Sequence, residues 1–158
     1  MDCVGFDAHD HEQCRVAALA NAERICVQKN LQLTPLRRHV LELLLTGHRA
    51  QGAYELLDQL RKKGLAAQPP VVYRVLDFLV RHGFVHRIER LNAFIACARP
   101  GETHAPCFLI STNCAAIAEA PGRSTLNALD RAAGALGFTV SRAAIEAEGL
   151  CPDCEDRV

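Results

Sequence analysis

PPVVYRVLDFLVRHGFVHRIERLNAFIAC, residues 69–97, is the stretch that decides the fold. The two prolines that open it favour a helix start, because proline suits the first helical turn, and Gly83 is typical of a helix end. Tyr73 and Arg74 lie on the polar face of this predicted helix. Its apolar residues recur at helical spacing and form the opposite, core-facing side: Val72, Val75, Leu76 and Leu79.

After Gly83 the apolar residues alternate with a period of two, which is typical of strands. Segments 84–88 and 93–97 are therefore predicted to pair as a hairpin around a polar turn, residues 89–92. A basic helix followed by a short hairpin is the arrangement of a winged helix-turn-helix, whose recognition helix enters the major groove of DNA.

Three further helices are predicted before this stretch. Thr34 followed by Pro35 is typical of an N-cap and first turn, and predicts a helix that ends at Gly47. Another helix is expected over residues 53–63, with basic residues in its last turn, where cations suit the helix dipole. The first helix, over residues 11–29, is predicted from apolar residues at roughly helical spacing: Val16, Leu19, Ala20, Ile25 and Val27.

A basic amphipathic helix by itself is most often only a solvated surface helix. Here the preceding helix and the following hairpin favour the DNA-reading interpretation, in which arginine pairs with guanine and a tyrosine ring meets a thymine methyl group. Tyr73 and Arg74 are the residues expected to read bases. Phosphate contacts are expected from Arg37, Arg38 and Arg61.

The net charge of zero hides an uneven distribution. Residues 15–97 carry 13 Lys/Arg against 6 Asp/Glu, whereas residues 98–158 carry 5 against 8. The positive charge therefore falls on the segment predicted to bind DNA. An apolar fraction of 49% is enough for a packed core, so disorder is not expected.

No apolar run approaches the roughly 18 residues that a membrane span needs, and the polar, acidic start is unlike a signal peptide. A soluble, cytoplasmic protein is therefore expected. Its eight cysteines would then stay reduced, which favours metal binding or redox chemistry over a disulfide framework. Potential metal ligands of mixed type are His86, Cys97, His104, Cys114, Glu119, Cys151 and Cys154.

The predicted fold class is α+β, in two domains. The winged helix-turn-helix DNA-binding domain spans residues 1–97, with a flexible N-terminal segment over 1–10, and residues 98–103 form a hinge. Residues 104–158 make a small α/β domain. Its expected elements are strands over 107–110, 115–118 and 138–147 and a helix over 124–136.

Three segments resemble the signature segments of the ferric uptake regulator (Fur) family: LTPLR (33–37), PPVVYRVL (69–76) and GFVHR (83–87). The resemblance runs from about residue 20 to residue 154 with the motifs in the right order, and within the family it is closest to the branch that regulates zinc uptake. It implies a homodimeric winged-helix repressor that binds operator DNA when loaded with zinc. Residues 104–158 would then be the dimerisation and metal-binding domain.

By the same resemblance, four residues sense zinc: His86, Cys97, His104 and Glu119. Two imidazoles, a thiolate and a carboxylate close a tetrahedral shell, and the soft thiolate favours Zn²⁺ over Fe²⁺ or Mn²⁺. Iron and peroxide sensors of the family carry a histidine-rich run after the hinge, where this chain has one histidine. Taken singly, each of the four would more often be an ordinary surface or core residue. Their joint match to the family pattern favours ligation.

A second, structural zinc site is implied by the family, in which two CxxC pairs hold the ion. Cys151 and Cys154 match one pair, but Ser111 stands where the pair that ends at Cys114 has its first cysteine. A serine hydroxyl is a poor zinc ligand at neutral pH, which leaves a three-thiolate site completed by water, a fourth ligand from elsewhere, or no zinc. Cys107 lies four residues back along a strand, about 13 Å away, and is a poor substitute.

Two other function classes remain open. One is a transcription regulator of the same family that senses peroxide or another metal; in a redox sensor of this kind, Cys114, Cys151 and Cys154 would be oxidised. A zinc-dependent enzyme would need an open ligand position and an acid/base residue, yet the sequence has no HExxH-type pair, so no catalytic residue is predicted. The N-terminal segment holds further residues of ligand type, which are more typical of incidental residues in a disordered tail than of a metal site: Cys3, His9, His11 and Cys14.

Overall fold

The computed structural model of the chain describes Phe6, residues 11–47 and residues 49–156. Apart from Phe6, the described residues form a first compact unit that ends at Gly101 and a second that begins at Glu102. The architecture is α+β, as expected, and the hinge over 98–103 stays a prediction.

The first unit contains four helices and one hairpin within the described residues. Its elements are α1 (His11–Gln28), α2 (Pro35–Leu44), α3 (Ala53–Lys62), α4 (Pro69–Arg81), β1 (Val85–Ile88) and β2 (Ala93–Ala96). Thr34 is the N-cap of α2, and its side chain accepts a hydrogen bond from the backbone N–H of Arg37 at 3.4 Å. Such a cap satisfies an otherwise unpaired helix donor and stabilises the fold by about 1 kcal/mol.

Helices α3 and α4 share one apolar core. The inward-facing residues of both helices, including the four predicted for α4, are all buried: Leu56, Leu57, Leu60, Val72, Val75, Leu76 and Leu79. Gly64 and Gly83, with φ of 76° and 75°, follow the ends of these helices in the left-handed conformation that glycine adopts at little cost. The prolines, Gly83 and the spacing of the apolar residues therefore predict both the length of α4 and which of its faces is exposed.

The hairpin is antiparallel, with Val85 opposite Ala96 and Ile88 opposite Ala93. Two backbone hydrogen bonds of 2.8 and 2.9 Å join Phe94 to Gln51, in the segment before α3. The predicted wing is thus paired with the helical core of its own unit.

The buried face of α1 differs from the prediction. Val16 and Val27 are 59% and 82% exposed, and Ala20 is exposed as well. The residues that reach the core are Leu19, Ala22, Ile25 and Cys26. Small Ala22 and Cys26 continue the stripe of Leu19 and Ile25 at helical spacing, so the buried face does not include Val16, Ala20 or Val27.

The second unit is a three-stranded sheet with helices between and after its strands. Its elements are β3 (Pro106–Ser111), β4 (Ile117–Pro121), α5 (Arg123–Ala135), β5 (Ile145–Gly149) and α6 (Pro152–Glu155), with strand order β4-β3-β5. Strand β4 is antiparallel to β3, whereas β5 is parallel to it and brings Gly149 beside Ser111.

Two predicted strands of the second unit are corrected. The expected strand over 115–118 begins only at Ile117, since Ala115 has φ 59° and belongs to the turn after β3. The expected strand over 138–147 is confined to Ile145–Gly149, because Gly137, with φ 70°, follows α5 and the next residues form no ladder. Helix α6 was not predicted.

Among the described residues, no helix combines the length and apolar character that crossing a membrane requires. Cys3, His9 and the side chain of His11 lie outside the described residues. Cys14 lies in α1 and is disulfide-bonded in this structure, which differs from the expectation that all the cysteines stay reduced.

Candidate metal centres and DNA-reading face

His104 and Glu119 form a buried polar pair in the second unit. Nε2 of His104 lies 2.7 Å from Oε1 of Glu119, and the side chains are only 12% and 6% exposed. The other ring nitrogen, Nδ1, lies 2.9 Å from the backbone oxygen of Glu102. If Nδ1–H donates to that carbonyl, the lone pair of Nε2 is left for ligation, and this nitrogen and the carboxylate could bind the same cation after a small separation.

Glu119 is placed by the sheet, because β4 holds it opposite Phe108 of β3. The carbonyl of Glu102, which orients the imidazole, was not foreseen from the sequence. Backbone oxygens carry no residue signature, so only the structure could identify this partner.

His86 and Cys97 form the corresponding pair in the first unit. Residues opposite each other across an antiparallel ladder share a face, and so do residues two apart on one strand. His86 lies opposite Ile95, and the backbone N–H of Cys97 donates to the oxygen of Phe84 at 2.8 Å. Both side chains therefore emerge from the same face of the wing. Their ligand atoms lie within 4.8 Å of each other.

Three thiols gather at the end of the sheet in the second unit. The sulfur atoms of Cys114, Cys151 and Cys154 lie within 4.8 Å of one another, and those of Cys114 and Cys151 are 3.5 Å apart. Parallel pairing of β3 with β5 brings the turn after β3 beside the start of α6. The CxxC pair at 151–154 thus meets Cys114, as the sequence implied, whereas Cys107 is not a member of the cluster.

The hydroxyl of Ser111 also belongs to this cluster. Its Oγ lies 3.3 Å from Sγ of Cys114 and 3.8 Å from Sγ of Cys154. Hydrogen bonding with Ser111, followed by the backbone of Ala116, lowers the pKa of Cys114 to about 7. Hydrogen bonding with Cys151 and burial raise the pKa of Cys154. Cys114 is the exposed member of the group, whereas Cys151 and Cys154 are buried.

The outer face of α4 presents Tyr73, which is 42% exposed, and Arg74. Arg61, in the last turn of α3, is exposed as well. Tyr54, near the start of α3, is 65% exposed and was not singled out from the sequence. Its aromatic ring, on the helix that precedes α4, is the signal by which the sequence could have pointed to it.

Two of the predicted phosphate-binding arginines have internal contacts. The guanidinium of Arg37 lies 3.6 Å above the ring of Phe78 and donates to the backbone oxygen of Gln32 at 2.5 Å. Arg38 forms ion pairs with Glu23 and with Glu42, the latter at 3.0 Å. These carboxylates reduce the net positive charge that Arg38 presents to a phosphate.

Comparison with known proteins places the chain in one family. Residues 28–148 match the ferric uptake regulator family. The zinc uptake regulation protein of Escherichia coli (strain K12) is 41% identical over 137 residues, which cover 86% of this chain and 80% of that protein.

Two solved structures are similar over nearly their whole length. A zinc uptake regulator complexed with zinc and DNA matches with a TM-score of 0.85 and 39% identity, over 90% of this chain and 96% of the other. The holo form of XcZur matches with a TM-score of 0.80 and 40% identity, over 89% and 98%. These similarities confirm the resemblance seen in the sequence motifs, and the chain belongs to the ferric uptake regulator family.

Proposed function

We propose that this protein is a zinc-responsive transcriptional repressor, which binds operator DNA as a homodimer when loaded with zinc and controls genes of zinc uptake. The observation that carries the proposal is the similarity to a zinc uptake regulator complexed with zinc and DNA, which extends over 90% of this chain. Such a repressor acts on DNA in the cytoplasm.

The regulatory zinc ion is proposed to bind His86, Cys97, His104 and Glu119. Each unit supplies a preassembled pair, one on the wing and one between the start of the second unit and β4. Each pair would contribute one negative charge to the bound zinc ion, the thiolate of Cys97 and the carboxylate of Glu119, and together these neutralise the divalent cation. No position would then remain open for substrate, so we propose no enzymatic activity.

Coordination by both pairs restrains the hinge over 98–103, and this restraint couples the metal to DNA affinity. The two reading heads of a dimer must present their recognition helices at the spacing of two half-sites. A shift from 1:99 to 99:1 in favour of the competent spacing requires about 10⁴-fold tighter binding of zinc to that state, or about 5.5 kcal/mol. A four-ligand site can supply that difference.

The DNA interface is proposed to centre on α4, with Tyr73 and Arg74 at base edges. Arg61, Arg37 and Arg38 contact phosphates and add salt-dependent affinity. Because Arg38 is already paired with two carboxylates, its share of this affinity is expected to be smaller than that of Arg61.

The homodimer is proposed to form through the second unit. No residue of α5 is buried in the single chain. An apolar stripe nonetheless runs along one side of the helix and past its end at spacings of three and four residues: Leu126, Leu129, Ala133 and Leu136. A helix of this kind gains its packing from a neighbouring surface, here a second copy of the chain.

A redox sensor of the same fold is the second candidate function. It is favoured by the exposed Cys114, whose pKa is lowered to about 7 and whose sulfur lies 3.5 Å from that of Cys151. Low-pKa, accessible thiols next to a second cysteine are typical of redox sensors. DNA binding that follows peroxide but ignores zinc chelation would favour this candidate over the first.

The regulatory site is tested by Cys97→Ser, with Cys107→Ser as the matched control in a cysteine outside both clusters. The probe is a DNA duplex selected from a random pool by the zinc-loaded parent protein, titrated by fluorescence anisotropy against buffered free zinc. Cys97→Ser is expected to lose zinc-dependent binding while it stays folded and dimeric, because the thiolate is replaced by a poor ligand. Cys107→Ser is expected to respond like the parent. A normal zinc response from Cys97→Ser would exclude the site.

Base reading is tested by Arg74→Ala on the same duplex and on its single-base variants. Loss of a bidentate contact is expected to cost about 1 to 3 kcal/mol and to relax discrimination at one base pair. Arg61→Ala is the comparison, and it is expected to weaken all sequences alike and to reduce the slope of affinity against salt concentration. Parent-like affinity of Arg74→Ala would show that α4 has been wrongly assigned as the recognition helix.

A further inference from the structure

The thiol cluster of the second unit has the dimensions of a tetrahedral metal shell. Zinc binds thiolate sulfur at about 2.3 Å, which sets sulfur atoms about 3.8 Å apart at the corners of a tetrahedron. Sγ of Cys114 and Sγ of Cys151 are 3.5 Å apart, and the three sulfurs lie within 4.8 Å of one another. Three corners of such a shell are therefore already assembled.

The hydroxyl of Ser111 lies at the distance expected of a fourth ligand from two of the three sulfurs. With zinc to oxygen at about 2.0 Å, a tetrahedral oxygen lies about 3.5 Å from each sulfur. Oγ of Ser111 is 3.3 Å from Sγ of Cys114 and 3.8 Å from Sγ of Cys154. These distances bracket the expected value, so the oxygen could join the shell with small adjustments.

Burial and backbone pairing hold Ser111 in this place. The residue is 2% exposed, and Cys151 and Cys154 are 2% and 3% exposed. Its N–H donates to the oxygen of Ala116 at 2.8 Å, and its own carbonyl accepts from the N–H of Ala115 at 3.1 Å. Since the serine lies at the end of β3, inside the turn that carries Cys114, its hydroxyl is fixed relative to the thiols.

We propose that Ser111 Oγ is the fourth ligand of a second metal site, in which Cys114, Cys151 and Cys154 bind a tetrahedral, thiophilic divalent cation such as Zn²⁺ through three sulfurs and one oxygen. It is an alternative to the three possibilities that the sequence left open, namely water as the fourth ligand, a ligand from elsewhere, or no zinc. The proposal concerns the second unit alone and does not depend on the regulatory function.

The chemistry of the donors explains why serine can serve here. A free alcohol is a weak ligand because it is neutral, but burial and backbone pairing already hold Ser111 Oγ beside the thiols, so a bound metal need not order it. Three thiolates and one neutral hydroxyl leave a net charge of −1 around a divalent cation, against −2 for four thiolates. The smaller charge costs less to bury. The metal is expected to bind more weakly to this set of ligands than to four cysteines, and therefore to exchange more readily.

Replacement of the metal by Co²⁺ tests directly how many sulfur atoms bind it. Full-length proteins are loaded with Co²⁺ in a Cys97→Ser background, which removes the one proposed regulatory ligand that contains sulfur. The Cys97→Ser protein that keeps Ser111 is expected to show the d–d absorption bands of tetrahedral Co²⁺ and sulfur-to-cobalt charge transfer from three Co–S bonds. Ser111→Cys is expected to raise the sulfur-to-cobalt charge transfer by about one third, since a fourth thiolate joins the shell. An unchanged charge-transfer band in Ser111→Cys would show that position 111 does not reach the metal.

Chelator competition separates a serine ligand from a water ligand. Ser111→Ala is expected to bind Zn²⁺ at least tenfold more weakly than the parent, roughly the lower end of the loss caused by removing even an outer-sphere partner. Thr112→Val is the matched control, because it removes a hydroxyl from the same turn that bonds to the oxygen of Gly149 and not to the thiols. Parent-like affinity in Ser111→Ala would overturn the proposal. Ser111→Cys remains decisive if the alanine protein does not fold.

Discussion

At the residue scale, one hydroxyl links two properties of the thiol cluster. The Ser111 side chain contacts both Cys114 and Cys154, which differ in exposure and in the direction of their pKa change. Cys114 is therefore the thiol that ionises first and the one that reagents can reach. Its sulfur is the entry point both for a metal ion and for an oxidant.

The lowered pKa of Cys114 predicts a pH dependence in the metal-free protein. Because the folded value, about 7, is below the ordinary value of 9.0, ionisation stabilises the fold. That contribution is complete above pH 9, shrinks as the pH falls from 9 to 7, and is lost below 7. The rate of Cys114 alkylation by iodoacetamide, followed by mass spectrometry, is expected to have its midpoint near pH 7.

Ser111→Ala is expected to move that midpoint upward, since hydrogen bonding with Ser111 is the largest cause of the lowered pKa. Thr112→Val, in the same turn, is expected to leave it in place. Equal midpoints for the parent and Ser111→Ala proteins would contradict this account of the thiolate.

At the scale of elements, the sequence predicted a helix and its faces best where the local boundary signals agree with the packing of the core. Helix α4 is bounded by prolines and Gly83, and its buried and exposed faces match the spacing of its apolar residues. The wing, formed by β1 and β2, was predictable because the spacing of apolar residues changes after Gly83 from the helical period to a period of two. In α1 the agreement fails, because Val27 is bulky but exposed and Ala22 is small but buried. Periodicity identifies a helix more reliably than it identifies the face that tertiary packing selects.

The candidate site was predictable in composition but not in geometry. Histidine, cysteine and glutamate could be matched one by one to the family's sensing pattern. The parallel pairing that sets Gly149 beside Ser111, and so brings the turn at Cys114 to the CxxC pair, joins segments far apart in sequence. Contacts of this kind leave no local signal. For the same reason the role of the Ser111 hydroxyl could not be seen in the sequence, where the serine reads as a missing cysteine.

At the scale of the whole molecule, charge is divided unevenly between the two units. Positive charge is concentrated in residues 15–97, which include α4, whereas residues 98–158 carry a net negative charge. Both units expose some large apolar side chains, and in the second unit three of them lie on α5 or just after it: Leu129, Leu136 and Phe138, with exposed fractions of 44%, 86% and 66%. The first unit is suited to a polyanion and the second to another copy of itself.

The apolar stripe of α5 gives the prediction for assembly. Leu129→Glu is expected to weaken the dimer by about tenfold or more, because burial of a leucine side chain contributes about 1.5 to 3 kcal/mol and a carboxylate would have to be desolvated in its place. Sedimentation equilibrium over a range of protein concentrations measures the change. Arg131→Glu, on the opposite side of the same helix, alters charge without touching the stripe and is expected to dimerise like the parent. Chelation of zinc is also expected to leave the parent dimeric, since apolar burial and not metal coordination holds α5 in the interface. If Leu129→Glu keeps the dissociation constant of the parent dimer, the copies meet through another surface and the stripe on α5 requires a different partner.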